Sequence, residues 1–238
     1  MKDYAEQIRE QLQKLGVPES REGKERHFKE PVKVYGARST DVTKVSKQTI
    51  KALTALKDEP KAKAFGLCEE LWKSGYLEET GIACDISYFY REQYEPEDFS
   101  TFEKWLDKYV GNWAACDTLC NHTIAEFIMK YPDFMPKLKS WTSSPNRWKQ
   151  RAAAVTLIIP ARNGYFLRDI FEIADCLLPS KDDMVQKGYG WMLKATGEFH
   201  PTAVFEYLMD RKTIMPRTAF RYALEKLPPD MRAQAMEK

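Results

Sequence analysis

Histidine, which builds many metal sites and nucleophile systems, is scarce in this sequence of 238 residues. The three histidines are His27, His122 and His200, and none forms a recognisable Cys/His system for nucleophilic catalysis. The five cysteines are odd in number and unevenly spread, so we expect no disulfide framework and a reducing cytosol. The sequence also lacks a glycine-rich phosphate-binding loop.

Long apolar runs are missing as well. Stretches such as AAAVTLII are far too short to cross a bilayer, so no membrane span is expected. Met1 leads directly into the charged segment KDYAEQIREQ, which predicts that there is no signal peptide. Hydrophobic residues make up 43% and charged residues 30% of the chain, which is typical of a globular protein. We therefore expect a cytoplasmic protein with a substantial core.

The net charge of +2 conceals a segregated distribution of charge. Residues 134–168 carry seven basic side chains and no acidic one, and residues 31–57 carry six basic side chains against Asp41 alone. Residues 92–107 reverse the pattern, with six acidic side chains against Lys104. A nearly neutral protein with this segregation can present one positive face to a polyanion. The alternative is that the lysines are scattered around ordinary solvated helices.

Almost every segment has the apolar spacing of a helix, and no stretch shows convincing strand alternation. Turn and capping residues predict helix starts at intervals of roughly 34 to 36 residues, which is the period of a two-helix repeat. The first helices of the pairs are predicted to begin near 75–76, 111–112, 146, 181 and 215–216. The second helices are predicted to begin near 96–98, 131–132, 163–164, 200–201 and 228–230.

This pattern predicts an all-α fold, a right-handed solenoid of antiparallel helix pairs that resemble HEAT repeats. One helix of each pair would line a concave surface. We predict a single domain over residues 1–238, with looser N-terminal helices in 1–74 and regular repeats in 75–238. The looser helices are predicted at 3–15, 40–57 and 60–73.

Three of the predicted first helices carry polar or aromatic residues one turn apart. The pairs are Trp113 and Asp117 in GNWAACDTLCNH, Arg147 and Arg151 in NRWKQRAAAV, and Lys187 and Trp191 in QKGYGWMLK. Residues four apart share one face of a helix, and equivalent helices of a solenoid lie side by side. We therefore expect the three pairs to meet on one surface. Two aromatic rings, a carboxylate and guanidinium groups suit a cationic aromatic ligand attached to phosphate, which indicates a nucleic-acid site.

Each of these residues also has a purely structural interpretation. A tryptophan at a repeat interface usually packs, and a lone aspartate usually caps a helix or pairs with a cation. Cys116, Cys120 and His122 raise the possibility of a zinc site, but their spacing does not fit one. The two cysteines fall within the apolar stripe of their helix, and the histidine points elsewhere. No metal is therefore expected.

The same segments carry a resemblance to a known family. GNWAACDTLC, RWKQRAAAV and QKGYGWMLKATGEFHPTAVFEYL resemble the corresponding stretches of the AlkD-like DNA alkylation repair glycosylases. VYGARSTDVTKVSK resembles the early segment of that family, and the likeness runs from about residue 24 to residue 225. The resemblance implies a HEAT-like solenoid with a concave DNA-binding face. It also implies a monofunctional glycosylase of base excision repair that removes cationic N3- and N7-alkylated purines, such as 3-methyladenine and 7-methylguanine, without a cofactor.

The resemblance also implies roles for individual residues. The family's catalytic aspartate falls on Asp117, and its phosphate-contacting arginine falls on Arg151. Its two active-site tryptophans fall on Trp113 and Trp191. The further residues expected to bind DNA are Arg38, Lys44, Lys47, Arg147, Lys149, Lys187 and Lys194.

The early segment departs from the family pattern at two positions. Arg38 and His27 stand where the family is expected to have a glutamine and a tyrosine. The expected partner is double-stranded DNA carrying alkylated bases, bound by a monomer at the nucleoid and not at a membrane. Two alternatives stay open, a catalytically silent relative that only binds DNA and a helical-repeat scaffold for another protein. The six acidic residues within 92–107 would be more important in such a scaffold than in a DNA-binding protein.

Overall fold

The computed structural model describes residues 1–237, apart from the side chain of Lys2. In this part of the chain the regular structure is helical, and the β-pairing is one isolated parallel bridge between Lys33 and Tyr76. The predicted all-α class is therefore confirmed. The chain divides into two compact units, Met1–Leu119 (unit 1) and Cys120–Lys238 (unit 2). The single solenoid over residues 1–238 and its handedness stay predictions.

Unit 1 is built around α5, which packs against α3, α4 and α7. Its core is aromatic, because Trp72, Phe102 and Trp105 are all buried. The Trp105 ring lies 6.2 Å from that of Trp72 and 5.7 Å from that of Phe102. The α-helices of unit 1 are α1 (Lys2–Leu15), α2 (Pro18–Glu25), α3 (Ser39–Thr54), α4 (Pro60–Ser74), α5 (Leu77–Phe89), α6 (Asp98–Tyr109) and α7 (Trp113–Thr118).

Unit 2 is built around its longest helix, α13, which contacts α10, α11, α12, α14 and α15. The glycines of α13 allow close approach, since a Cβ at Gly190 would lie 2.8 Å from the Ala219 carbonyl oxygen. The α-helices of unit 2 are α8 (Ala125–Lys130), α9 (Met135–Ser140), α10 (Arg147–Val155), α11 (Ile158–Arg162), α12 (Leu167–Leu177), α13 (Asp183–Phe199), α14 (Pro201–Arg211), α15 (Arg217–Leu224) and α16 (Pro229–Met236). A π-helical segment, Leu119–Ile124, lies between α7 and α8 in the chain.

The predicted helix starts agree with the structure where a side chain caps the first turn or a proline begins the helix. The first helices α5, α7, α10, α13 and α15 begin within two residues of their predicted positions. Asn112, Asn146 and Asp182 cap three of them, each accepting hydrogen bonds from backbone N–H groups of the first turn. Proline at the first position starts α14 and α16, where its missing N–H has no intrahelical partner to lose.

Three local features differ from the sequence-based prediction. The apolar spacing of Trp148, Ala152, Val155 and Ile159 predicts one helix from residue 146 onward. The helix is interrupted after Val155, because Pro160 has no N–H and its ring would clash with the carbonyl four residues earlier. The second helix predicted near 163–164 begins at Leu167 instead, since Gly164 and Phe166 both adopt left-handed backbone conformations. Helix α2 was absent from the prediction.

Candidate functional site

Trp113 and Asp117, the two residues of unit 1 that are predicted to act in catalysis, lie on α7. The side chain of Asn112 accepts a hydrogen bond from the Ala115 backbone N–H at 2.9 Å, which fixes Trp113 as the first helical residue. Asp117 follows one turn later on the same face. Trp113 is half-buried, whereas Asp117 is only 8% exposed. A carboxylate at this depth acts on nearby charges more strongly than it would in bulk water.

The indole of Trp113 stacks on an aromatic ring from a distant part of unit 1. The ring centroids of Phe28 and Trp113 are 5.2 Å apart, and the two planes differ by 18°. The family resemblance predicts a tyrosine at the position of His27. His27 is exposed, and its Nδ1 lies 2.7 Å from the Gly23 carbonyl oxygen. Phe28, one residue later, is therefore the aromatic neighbour of Trp113, and sequence reasoning missed it.

A buried carboxylate on α5 holds the segment that carries Phe28. Glu78 is 3% exposed and accepts hydrogen bonds from the Lys24 ammonium at 2.8 Å and from the Tyr35 and Gly36 backbone N–H groups at 3.0 and 3.1 Å. Glu78 also lies in the first turn of α5, where a negative charge is favoured. Because these bonds lie on both sides of Phe28 in the sequence, Glu78 anchors both ends of this segment to α5.

The neighbouring acid, Glu79, is also buried and joins two further parts of unit 1. Its carboxylate accepts a hydrogen bond from the Tyr35 hydroxyl at 2.7 Å and forms an ion pair with Arg9 at 3.2 Å. Burial, together with the hydrogen bond to Glu79, raises the pKa of Tyr35 well above its ordinary value. Tyr35 is therefore held as a neutral donor, and its ring stacks on Tyr76 at 4.1 Å.

In unit 2, Arg151 is buried more deeply than its sequence position indicates. The helical periodicity places it beside the core stripe of α10, but the side chain is only 4% exposed. Its guanidinium donates to the Met184 carbonyl oxygen of α13. A Cβ at Gly188 would lie 3.1 Å from the Arg151 Cγ, so the glycine leaves the room that this side chain occupies. Arg151 therefore lies between α10 and α13.

Trp191 lies on α13, two turns after the Asp182 cap. The side chain of Asp182 accepts hydrogen bonds from the Met184 and Val185 backbone N–H groups at 2.8 and 3.2 Å. Trp191 is half-buried and lies beside the buried stripe of α13 that includes Val185 and Tyr189. Tyr189 on that stripe is fully buried, and burial raises the pKa of its hydroxyl. That Trp191 and Arg151 share one site with Trp113 and Asp117 stays a prediction.

The cations predicted to bind DNA fall into three groups. Four of them are engaged with carboxylates: Lys44 with Asp41, Arg147 with Asp182, Lys187 with Asp183 and Lys194 with Glu225. Lys149 lies over the Trp141 ring, with its Nζ 5.8 Å from the centroid. Arg38 and Lys47 are exposed, and neither side chain has a hydrogen-bond or ion-pair partner within residues 1–237. These two are the cations most available to a phosphate.

The residues considered for a zinc site do not come together as ligands. Cys116 and Cys120 are buried in the core, as the apolar stripe predicted, and His122 is exposed. Across the described residues, no group of three or more histidine, cysteine, aspartate or glutamate side chains could hold a metal ion. None of the helices within residues 1–237 is long and apolar enough to cross a membrane.

Comparisons with known proteins agree with this arrangement of helices. A structure described as a predicted DNA alkylation repair enzyme from Enterococcus faecalis superposes with a TM-score of 0.79 at 15% sequence identity. The match covers 90% of this chain and 97% of the other, which shows that the two share a fold. A search of curated proteins found no significant match. The sequence profile described as "DNA alkylation repair enzyme" matches residues 8–227, so the chain belongs to the DNA alkylation repair enzyme family.

Proposed function

We propose that this protein is a monofunctional DNA glycosylase. Its substrates would be cationic N3- and N7-alkylated purines in duplex DNA, including 3-methyladenine and 7-methylguanine, and its reaction would begin base excision repair. The observation that carries the proposal is the deep burial of Asp117, a carboxylate one helical turn from the half-buried Trp113. Membership of the DNA alkylation repair enzyme family supports the substrate class at a coarser level.

The positive charge of such a lesion explains why one carboxylate is enough to catalyse cleavage of the bond between the deoxyribose and the base. Alkylation at N3 or N7 makes the purine positively charged and therefore a good leaving group. When the C1′–N bond breaks, its electron pair leaves with the base, and positive charge develops on the deoxyribose. Asp117 would stabilise that charge and position the water that attacks C1′ and then loses a proton. The reaction as proposed uses no metal and no cofactor.

The aromatic residues would hold the cationic lesion. A positively charged ring is attracted to the face of an indole, and Trp113 and Trp191 are the proposed partners. The stacking of Phe28 fixes one face of the Trp113 indole and so limits its rotation. This limited freedom lowers the entropy lost when the lesion is bound.

Arg151 would contact the phosphate beside the lesion. A guanidinium has five N–H donors, so its hydrogen bond to the Met184 carbonyl is compatible with a bond to phosphate as well. The exposed Arg38 and Lys47 would add contacts to the DNA backbone that carry no sequence information. We propose that these cations belong to the concave face of a right-handed solenoid, and that the protein acts as a monomer in the cytoplasm.

A base-release assay tests the proposed function directly. Purified protein is incubated with methylated duplex DNA in the presence of chelator, and free bases are identified by chromatography and mass spectrometry. We expect release of 3-methyladenine or 7-methylguanine and an abasic strand that is not cut. DNA binding without release at stoichiometric protein would favour the catalytically silent relative. Absence of both binding and release would favour the protein-interaction scaffold.

A further inference from the structure

The side chain of Arg151 lies against one face of α13. Gly188 and Met184 are four residues apart on that helix, so they share this face. A Cβ at Gly188 would lie 3.1 Å from the Arg151 Cγ and 3.4 Å from its Nη1. The same Nη1 donates a hydrogen bond to the Met184 carbonyl oxygen. Both the aliphatic part and the guanidinium of Arg151 therefore lie beside Gly188, and the guanidinium is bound to the preceding turn.

The turn that contains Met184 is itself held in place. The Asp182 carboxylate accepts hydrogen bonds from the Met184 and Val185 backbone N–H groups, and it forms an ion pair with Arg147 at 3.0 Å. Arg147 precedes Arg151 by one turn on α10, so the two arginines share a face of that helix. Both arginines of α10 therefore bind the first two turns of α13, which fixes the carbonyl that receives Arg151.

The backbone conformation does not explain why residue 188 is a glycine. Its φ is not positive, and glycine in the interior of a helix is less favourable than alanine. Gly190, two residues later, allows contact with α15, since a Cβ there would lie 2.8 Å from the Ala219 carbonyl oxygen. At Gly188 the three nearest atoms belong to Arg151 and Val155, both on α10. The missing Cβ at residue 188 therefore provides space for the arginine.

We propose that Gly188 is a positioning residue, which determines where the Arg151 guanidinium meets a DNA phosphate. A methyl group at residue 188 would displace the Arg151 Cγ by a few tenths of an ångström. Because the Cγ is close to the backbone of α10, its displacement also moves the guanidinium at the end of the side chain. Gly188 would act through Arg151 and not by contact with DNA. The proposal rests on the glycosylase function proposed above and deepens it.

A double-mutant cycle of Gly188→Ala and Arg151→Ala tests this role in the full chain. Fluorescence anisotropy with duplex DNA over a range of salt concentrations gives the affinity and its salt dependence. In the otherwise wild-type chain, Gly188→Ala should weaken binding about three- to tenfold and reduce the slope of log K against log salt by up to about one. In the chain that carries Arg151→Ala, Gly188→Ala should change neither quantity, because the residue through which it acts is absent.

A second glycine of α13 supplies the matched control. A Cβ at the buried Gly197 would lie 3.0 Å from the Leu227 Cδ2, so Gly197→Ala makes a similar steric demand away from Arg151. It should leave DNA affinity and the salt slope at their wild-type values. In single-turnover release of 7-methylguanine, Gly188→Ala should raise the half-saturating protein concentration about three- to tenfold and change the rate at saturation less than about twofold. A loss of folding alone would not produce this split.

Melting temperatures of the same variants test the steric contact without DNA. Gly188→Ala should lower the melting temperature of the otherwise wild-type chain, because the methyl group and Arg151 compete for one space. In the chain that carries Arg151→Ala that space is empty, so Gly188→Ala should raise the melting temperature or leave it unchanged.

The proposal is overturned if Gly188→Ala binds DNA as the wild type does, if its effect on binding is the same with and without Arg151, or if it lowers both melting temperatures equally. A wild type that binds no duplex would contradict both the proposed function and the DNA-related role of Gly188. A wild type that binds and excises normally, together with an unaffected Gly188→Ala variant, would reject the role of Gly188 alone.

Discussion

The ring of Phe28 stacks on the indole of Trp113 with 5.2 Å between their centroids, although the two residues belong to distant parts of the sequence. Phe28 lies in a non-helical segment after α2, and Trp113 is the first residue of α7. Glu78 holds that segment against α5. The position of the proposed lesion-binding indole therefore depends on the ion pair between the buried Glu78 and the half-buried Lys24.

Removal of the Phe28 ring is expected to slow base excision. Phe28→Ala should lower the single-turnover rate of 7-methylguanine release about two- to tenfold, since an aromatic pair contributes roughly 0.5–1.5 kcal/mol beyond its buried area. Phe28→Tyr retains the ring and should excise at nearly the wild-type rate. If Phe28→Ala excises as fast as Phe28→Tyr, the stack has no part in the reaction.

Removal of the Glu78 carboxylate is expected to destabilise the protein strongly. Glu78→Ala leaves Lys24 without its ion-pair partner and leaves two backbone N–H groups without acceptors. The free energy of unfolding should fall by about 2–4 kcal/mol, measured by urea denaturation. Glu22→Ala is the control, because its ion pair with Arg26 is exposed, and it should change this free energy by less than about 0.5 kcal/mol. Equal losses for both variants would contradict the anchoring role of Glu78.

The stability of the protein towards acid is expected to depend on Glu69. Burial alone would raise the pKa of this carboxyl, but hydrogen bonds from Lys104, Tyr109 and Trp105 outweigh burial and hold the pKa below its ordinary value. A lowered pKa in the folded state stabilises the protein above the unfolded-state pKa, and this stabilisation is lost as the pH falls through the folded-state pKa. The wild type should therefore lose stability as the pH falls below about 4.5, the ordinary pKa of a glutamate, and through the lower pKa of Glu69 in the folded state.

A variant pair isolates this contribution. Glu69→Gln cannot ionise, so its free energy of unfolding should fall less steeply with decreasing pH over that range than that of the wild type. Glu6→Gln alters an exposed glutamate on α1 and should leave the slope unchanged. Parallel pH profiles for the wild type and Glu69→Gln would contradict the prediction, because they would mean that Glu69 has the same pKa in the folded and unfolded states.

Much of the helical framework could be predicted from the sequence because its signals are local. A cap such as Asn112, Asn146 or Asp182 satisfies backbone N–H groups only two or three residues away, so a short window of sequence contains the whole interaction. The core stripe of α13 was also predictable, because helical spacing selects Val185 and Tyr189 without reference to any neighbour.

The features that the sequence did not predict depend on contacts between distant segments. Arg151 is buried because Gly188, on another helix, leaves space for it, and the periodicity of α10 contains no information about that space. The stacking of Phe28 on Trp113 likewise requires the position of the Glu78 anchor. The delayed start of α12 has a partial signal in Gly164, but the left-handed conformation of Phe166 has none.

The exposed cations of α3 and its N-terminus are expected to contribute to DNA affinity through phosphate contacts. Arg38→Ala and Lys47→Ala should each weaken binding of damaged and undamaged duplexes equally. Each should also reduce the slope of log K against log salt by about one. Lys14→Ala removes an exposed cation that is not assigned to DNA and should change neither quantity. Fluorescence anisotropy over a range of salt concentrations measures the affinity and the slope. If the slopes of Arg38→Ala and Lys47→Ala equal that of the wild type, these two cations do not contact the DNA.

The substitution Asp117→Asn separates catalysis from binding at a single side chain. It keeps the size of the side chain and removes the charge that would face the developing sugar cation. Loss of one preorganised electrostatic contact commonly lowers a rate by about 100- to 1000-fold, so single-turnover release of 7-methylguanine should fall by that factor. Some release should persist, because the alkylated base is already a good leaving group.

Binding and stability measurements on the same variant distinguish a catalytic from a structural role of Asp117. Affinity for alkylated duplex should stay equal or rise slightly, since a carboxylate repels nearby phosphates, and the melting temperature should stay close to that of the wild type. If Asp117 only held a cation or a helix end in place, the variant would melt earlier and bind DNA more weakly as it lost activity. Asp58→Asn supplies the matched control, with the same change at an exposed position. If Asp117→Asn releases 7-methylguanine as fast as Asp58→Asn does, Asp117 has no part in the reaction.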